Sequence, residues 1–247
     1  MKIKAPESIS FAETSFCPGC GHGIAARLIG EVMEEMGLTE KLLTVIDVAC
    51  SSLNIDTWRF DTIMAAHGRP IATATGVKKV RKENPVLAYL GDGAAYSIGI
   101  SETVYGAIRN DNVVVIVINN GVFGMTGGQM APTSLEGQKT TSSLKGRDIS
   151  KTGKPFDVVK AIGNFDIAYL ARGSVANGGD IKKTKKYIRK AFEKHMNNEG
   201  YCLVEILSPC PTNVNLGMTP EKCIERLDTV VSEYYKTGEY VDKGGNI

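Results

Sequence analysis

Residues 90–129 read LGDGAAYSIGISETVYGAIRNDNVVVIVINNGVFGMTGGQ, and this stretch decides the fold. Residues 113–118, VVVIVI, are apolar at every position, as a parallel strand buried on both faces should be. Residues 86–90 predict an earlier strand, and residues 97–109 predict a helix between the two. A strand–helix–strand unit of this kind belongs to an α/β fold: a mostly parallel sheet with helices on both faces. In such sheets ligands sit beyond the carboxyl ends of the strands. Gly91-Asp92-Gly93 falls just past the first strand, and Asn119-Asn120 just past the second. If the strands are neighbours, their ends lie about 5 Å apart. The Asp92 carboxylate and the Asn120 amide oxygen could then grip one cation. Mg²⁺ prefers hard oxygen ligands and commonly keeps phosphate oxygens in its shell. Gly91 and Gly93 let backbone approach a diphosphate without a Cβ clash, and the helix start after them offers N–H groups to the anion. Alone, Gly-Asp-Gly reads as a tight turn. The Asn pair after a buried strand, followed by Gly121, Gly127 and Gly128, favours the cation–diphosphate reading. No Gly-x-Gly-x-x-Gly opens a helix after the first strand, and no P-loop signature occurs.

Outward from this unit, helical and extended patterns alternate. A helix is expected over residues 23–36, with Ile24, Leu28, Val32 and Met36 on one face. Residues 42–48 predict a strand, 69–83 a helix, 156–162 a short helix and 167–171 a strand. A long helix over 180–197, a strand over 202–207 and a closing helix over 219–236 complete the pattern, with Pro220 suited to that last helix's first turn. No internal repeat is visible, and residues 1–247 read as a single domain. Residues 119–155 form one long irregular stretch, of a length that is uncommon unless it covers a site or meets a partner.

Bulk properties narrow the partners. A net charge of +2 over 247 residues gives no reason to expect nucleic acid. The run Lys182-Lys183-Thr184-Lys185-Lys186 alternates with Ile181, Tyr187 and Ile188 at helical spacing and reads as a solvated helix face. No apolar run approaches the roughly 20 residues that span a bilayer, and the start MKIKAPESIS lacks the apolar core of a secretory signal. A cytoplasmic location is expected. Disulfides are rare there, so the six cysteines need another account.

Cys17-Pro18-Gly19-Cys20 precedes Gly21, His22, Gly23 and a helix. A thioredoxin-type redox pair is one reading, although no convincing strand precedes it. A zinc site is another. Cys50 and Cys210 tilt the balance, because each follows a predicted strand, on the same edge as the cation–diphosphate site. Four thiolates converging there would suit a [4Fe–4S] cluster, although the bacterial-ferredoxin spacing is absent. Cys202, within an apolar run, and Cys223, within the last helix, read as structural.

Taken together, Cys17-Pro-Gly-Cys20-Gly-His22, Cys50-Ser51-Ser52, His67-Gly68-Arg69, Gly91-Asp92-Gly93, Asn119-Asn120 through Thr126-Gly-Gly-Gln129, and Ser208-Pro-Cys210-Pro resemble the thiamine-diphosphate-binding β subunit of 2-oxoacid:ferredoxin oxidoreductases. The likeness covers nearly the whole chain and keeps the family's order. Residues 127–141 look most like the branched-chain, 2-oxoisovalerate members. The resemblance implies a thiamine-diphosphate-binding fold with an N-terminal cluster-binding segment. It implies Mg²⁺ held by Asp92, Asn120 and the Val122 carbonyl, and diphosphate lined by Gly91, Gly93 and Ala94. Cys17, Cys20, Cys50 and Cys210 would hold the [4Fe–4S] cluster. Cys50, Ser51 and His67 would lie beside the cofactor, with His67 the candidate catalytic side chain. Some members that act on small 2-oxoacids carry a Lys three residues after the third cluster cysteine. Leu53 stands there in this chain, which argues for an apolar substrate side chain.

The implied activity is CoA-dependent oxidative decarboxylation of a 2-oxoacid to acyl-CoA, CO₂ and reduced ferredoxin. The Glu that activates the aminopyrimidine has no counterpart domain here. The resemblance places it on an α subunit, with γ and δ subunits and ferredoxin as further partners. Competing readings are a 2-oxoglutarate- or pyruvate-specific member, a non-oxidative thiamine-dependent decarboxylase subunit that needs no cluster, and an electron-transfer subunit with a vestigial cofactor site.

Overall fold

The apolar run at the centre of the chain forms the central strand of a seven-stranded sheet. The computed structural model describes residues 5–10 and 14–243. The strands are β1 (Leu43–Asp47), β2 (Asp61–Ala65), β3 (Val86–Gly91), β4 (Val114–Asn119), the short pair β5 (Val122–Phe123) and β6 (Gln129–Met130), then β7 (Tyr169–Ser174), β8 (Cys202–Leu207) and β9 (Gly238–Asp242). The helices are α1 (His22–Glu35), α2 (Pro70–Val80), α3 (Ile100–Ile108), α4 (Ile149–Thr152), α5 (Val158–Ile162), α6 (Gly178–Met196) and α7 (Pro220–Arg226). The main sheet has the order β2-β1-β3-β4-β8-β7-β9. All its neighbours run parallel except β9, which pairs antiparallel with β7.

Six-residue β4 and β8 are buried at every position. Helices cover both faces. On one, Ile29, Val32 and Met33 of α1 and Ile188 and Phe192 of α6 pack over Leu87, Tyr89, Ile116 and Val204. On the other, Ile71 and Ala74 of α2, Ala107 of α3, and Val158 and Ile162 of α5 pack over Ala88, Leu90, Val115 and Leu203. This double cover explains why the central strands lack polar–apolar alternation. Among the described residues no helix is long and apolar enough to cross a membrane.

The connections position the site. From β1 the chain moves outward to β2, whereas from β3 it moves the other way to β4. The direction therefore reverses between β1 and β3. In open α/β sheets the loops diverge at such a switch point and leave a crevice at the carboxyl ends of the strands. The residues after β1 (Val48 to Ser51) and after β3 (Asp92 to Ala94) flank that crevice.

Several expectations need correction. Residues 61–65 form β2, an edge strand whose Ile63 and Met64 are 46% and 53% exposed. The outward turn of its apolar side chains hid it from periodicity. The predicted helix over 97–109 begins only at Ile100, after a π turn over Ala94–Ile98. The closing helix also breaks: α7 ends at Arg226, a π turn follows over Leu227–Val231, and a last helical turn covers Ser232–Tyr234. Beyond it lies β9, which was not expected as a strand. Pro220 does occupy the first turn of α7, with Thr219 capping it.

The irregular stretch 119–155 contains its own framework. β5 and β6 form an antiparallel pair. Arg147, 6% exposed, donates to the carbonyls of Ala131, Pro132 and Ser134 through Nη1, and to those of Thr152, Gly153 and Lys154 through Nη2. Among the described residues no carboxylate pairs with it, and burial pushes the guanidinium below its usual range. Gln138 adds a further tie, donating from Nε2 to the Gly121 carbonyl at 2.7 Å. Hydrogen bonds to a charged group are each worth about 1.5–3 kcal/mol. Arg147→Ala is therefore expected to cost on the order of 3 kcal/mol in urea unfolding. It should also open new cleavage sites within residues 121–155 in limited proteolysis. A loss below about 1 kcal/mol with an unchanged digest would contradict this account.

Candidate functional site

The crevice between the ends of β1 and β3 holds a cavity of about 310 Å³. Its wall contains Cys50, Ser51, His67, Gly91, Asp92, Gly93, Ala94, Asn120 and Val122, all of them residues singled out in the sequence. His22, Val48, Phe123, Met125 and Thr126 complete much of the remainder.

Asp92 ends β3 and is 1% exposed. Its Oδ1 accepts from the Gly93 N–H at 3.0 Å. Its Oδ2 accepts from the Gly121 N–H at 2.9 Å and from the Thr133 hydroxyl. Burial is the main cause that raises this carboxyl to about 7, against the three hydrogen bonds that favour its ionised form. Asn120 follows β4, the neighbour of β3, and its Oδ1 accepts from the Val122 N–H at 3.2 Å. Asp92 and Asn120 thus stand on one wall with Val122, and a carboxylate and an amide are residue types whose hard oxygens suit Mg²⁺. Gly93 is tightly enclosed: a Cβ there would lie 2.4 Å from the Phe123 ring. The π turn that starts at Ala94 replaces the regular helix start foreseen from sequence, and π turns recur at functional sites.

The cysteines gather at the adjoining rim. The Cys20 N–H donates to the Cys17 carbonyl at 3.0 Å, closing the Cys-Pro-Gly-Cys turn. The Gly21 N–H donates to the Pro209 carbonyl at 3.3 Å, which ties this turn to the Cys210 segment. A Cβ on Gly21 would fall 2.3 Å from the Ser208 Oγ, so only glycine permits that approach. On the other side, a Cβ added to Gly124 would lie 3.3 Å from the Cys50 Sγ and 3.8 Å from the Cys210 Sγ. Gly124 thus leaves open a space beside two thiols. Burial pushes the Cys20 thiol up to about 12 and Cys210 to about 11, and the charges of the other cysteines act in the same direction. A metal centre would reverse that cost, because it supplies the positive charge that stabilises thiolates. Among the described residues no three His, Cys, Asp or Glu side chains surround a single ion position. Cys202 is buried within β8 and Cys223 within α7, in keeping with structural roles.

Three features were not found from sequence. Asp47, fully buried at the end of β1, accepts from the Gly68 N–H at 2.7 Å through Oδ1 and lies 2.6 Å from the His67 Nδ1 through Oδ2. Its signal was a lone acid closing an apolar strand. His22 lies at the floor, 1% exposed, with its Nδ1 2.8 Å from the Tyr89 hydroxyl. Burial pushes that imidazole down to about 4, so it is neutral at ordinary pH. Next to Asn120, Asn119 donates to Glu205 at 3.0 Å, and Glu205 pairs with the buried Arg172.

These features define a cofactor-binding α/β domain, and comparison with known proteins places it. Residues 46–206 match the thiamine pyrophosphate enzyme, C-terminal TPP binding domain family. Ketoisovalerate oxidoreductase subunit VorA of Methanothermobacter thermautotrophicus is 39% identical over 202 residues, or 81% of this chain. This chain spans only 42% of that relative's length. 2-oxoglutarate synthase subunit KorB of Methanocaldococcus jannaschii is 34% identical over 216 residues, covering 86% of this chain and 76% of the relative. A solved 2-oxoglutarate:ferredoxin oxidoreductase from Magnetococcus marinus superposes with a TM-score of 0.80 at 23% identity, over 100% of this chain and 87% of that one, and so shares the fold. The chain belongs to the thiamine-diphosphate-binding subunits of the 2-oxoacid:ferredoxin oxidoreductase family.

The Asp92 environment fixes a pH dependence. Its folded value, about 7, exceeds the ordinary aspartate value of 3.8, so between these the folded chain holds more protons than the unfolded one. Without a cation, stability should fall as pH rises through this window, by at most about 1.4 kcal/mol per unit. Cation binding requires the carboxylate, so Mg²⁺–thiamine diphosphate should bind up to about tenfold more tightly per unit up to about pH 7 and level off above. Titration calorimetry across pH 6–8 checks this expectation. A flat profile in the wild-type protein, or a slope that survives in Asp92→Ala, would contradict it.

Proposed function

We propose that this chain is the thiamine-diphosphate-binding subunit of a CoA-dependent 2-oxoacid:ferredoxin oxidoreductase that converts a 2-oxoacid to acyl-CoA, CO₂ and reduced ferredoxin. One observation carries the reading: the oxygen donors Asp92 and Asn120 and the thiol of Cys50 line a single cavity. Asp92, Asn120 and the Val122 carbonyl would hold Mg²⁺, while Gly91, Gly93 and Ala94 would cradle the diphosphate. Cys17, Cys20, Cys50 and Cys210 would hold a [4Fe–4S] cluster. Thiamine diphosphate, when bound, supplies the electron sink for decarboxylation. The chain's own part is to orient the diphosphate, to hold cofactor and cluster close together and to exclude water. Cys50, Ser51 and His67 would face the reacting end, with His67 touching substrate.

A branched-chain acid such as 2-oxoisovalerate is the favoured substrate. Among the described residues no Lys or Arg lines the cavity, whereas Val48 and Met125, which do, are 48% exposed each. A second carboxylate, as in 2-oxoglutarate, would find no cation on this wall. We assign residues 1–247 to one domain with an N-terminal cluster-binding segment. The aminopyrimidine partner carboxylate would come from an α subunit, with further γ and δ subunits and ferredoxin completing the cytoplasmic complex.

The test is anaerobic co-expression with the partner subunits, followed by a substrate panel that monitors ferredoxin reduction with CoA present. Iron and acid-labile sulfide should be found, and Cys50→Ser should lower both. Branched-chain 2-oxoacids should show a kcat/KM at least about tenfold above that of 2-oxoglutarate, the scale of one or two apolar contacts in a pocket. A preference for 2-oxoglutarate would overturn the substrate assignment. An iron-free complex that still releases CO₂ would overturn the oxidoreductase reading in favour of a non-oxidative decarboxylase.

A further inference from the structure

The pairing of Asp47 with His67 calls for a functional explanation. Asp47 is fully buried, and its two oxygens are given to the Gly68 N–H at 2.7 Å and the His67 Nδ1 at 2.6 Å. The backbone on both sides is fixed. The Asp47 carbonyl accepts from the Ala49 N–H at 3.0 Å and from the Ser51 hydroxyl at 3.1 Å. Gly68 has φ +75°, and a Cβ there would lie 2.7 Å from Ile98, so the turn carrying His67 requires glycine at this position. Arg69, next in the chain, is anchored by an ion pair with Glu102 and a bond to the Ile98 carbonyl. His67 nevertheless keeps its side chain 32% exposed, on the wall of the cavity.

A carboxylate can only accept from Nδ1, so the neutral ring must carry its hydrogen on Nδ1. Nε2 is then a lone-pair acceptor. The substrates required by the proposed function differ in what they can offer such an atom. A 2-oxoacid at neutral pH is a carboxylate with no acidic proton to give. The thiol of CoA has one proton, which must leave before sulfur can attack an acyl carbon.

We infer that His67 Nε2 is the proton acceptor for the thiol substrate, and that Asp47 is the positioning residue that keeps Nε2 free of hydrogen and correctly placed. The step balances without a redox partner. The S–H bond breaks and an N–H bond forms at Nε2, giving an imidazolium beside Asp47 and a thiolate in the cavity. The inference rests on the reading of this site as a CoA-dependent oxidoreductase.

Asp47→Asn separates this role from a structural one. Asn can still accept from the Gly68 N–H, but it presents an N–H to His67 Nδ1, which moves the ring hydrogen to Nε2 and removes the acceptor. The experiment uses the anaerobic holo-complex in two rapid-mixing arms, with 2-oxoacid alone and with 2-oxoacid plus CoA. Wild-type complex should react in both, and a wild-type complex inert in both arms would instead refute the proposed function. In Asp47→Asn the CoA-dependent phase should fall at least about 100-fold further than the CoA-independent phase, the lower end for loss of an acid–base group. His67→Gln, at a partly exposed position, should reproduce this split. Thermal unfolding and iron content would show both variants to be intact. Equal losses in the two phases, or no loss in the CoA-dependent one, in either variant would overturn the inference.

Discussion

The Asp92 carboxylate holds the site together. It closes β3, yet two of its three donors come from elsewhere in the chain: the Gly121 N–H beyond β4 and the Thr133 hydroxyl within the long connection. One side chain therefore joins the end of one strand, the turn after its neighbour and the segment that covers them. Its burial makes the ionised form costly, and three hydrogen bonds offset part of that cost. A group with such an environment has its chemistry built into its position.

A second layer lies beneath it. Glu205 on β8 accepts from Asn119 and pairs with Arg172 on β7, and Arg172 also donates to Asp157 at 2.7 Å. The Arg172 guanidinium sits 4.9 Å from the centroid of the Tyr235 ring, and the Tyr235 hydroxyl donates to the Thr133 carbonyl at 3.1 Å. Thus a buried ion pair touches Asn119, next to Asn120, and reaches Thr133, which donates to Asp92, through the Tyr235 ring. Buried pairs contribute little net stability but are costly to break. Here their evident effect is to fix the backbone beside Asn120 and Thr133 while the cavity above stays open.

How much of this could be read from the sequence depends on range. The buried strand β4, its neighbour β3 and the helix between them follow from local pattern, and the ends of these strands placed Asp92 and Asn120 on one wall. The alternation of helices and strands also predicted the doubly covered parallel sheet. Long-range effects escaped. β2 and β9 are edge strands, and each draws its stability from a single neighbour. Arg147 looked like one more charge in a polar loop, yet it organises that loop by bonding six carbonyls. Asp47 was visible as an acid ending an apolar strand, but its partner lies 20 residues away across the turn that follows β2. The π turn after Gly93 has no sequence signature and appears only once the backbone is seen to crowd against Phe123 and Gly68.

The central claim is that the cation held by Asp92 and the group held by the cysteines share one cleft. The most direct test is magnetic. Mn²⁺ would replace Mg²⁺ in the anaerobic holo-complex, and electron spin relaxation of the reduced cluster would be followed by electron paramagnetic resonance. This account predicts faster relaxation with Mn²⁺ than with Mg²⁺, and loss of the difference in Asp92→Ala. Relaxation that is identical with the two ions, in a complex shown to contain bound Mn²⁺ and a full iron complement, would contradict it.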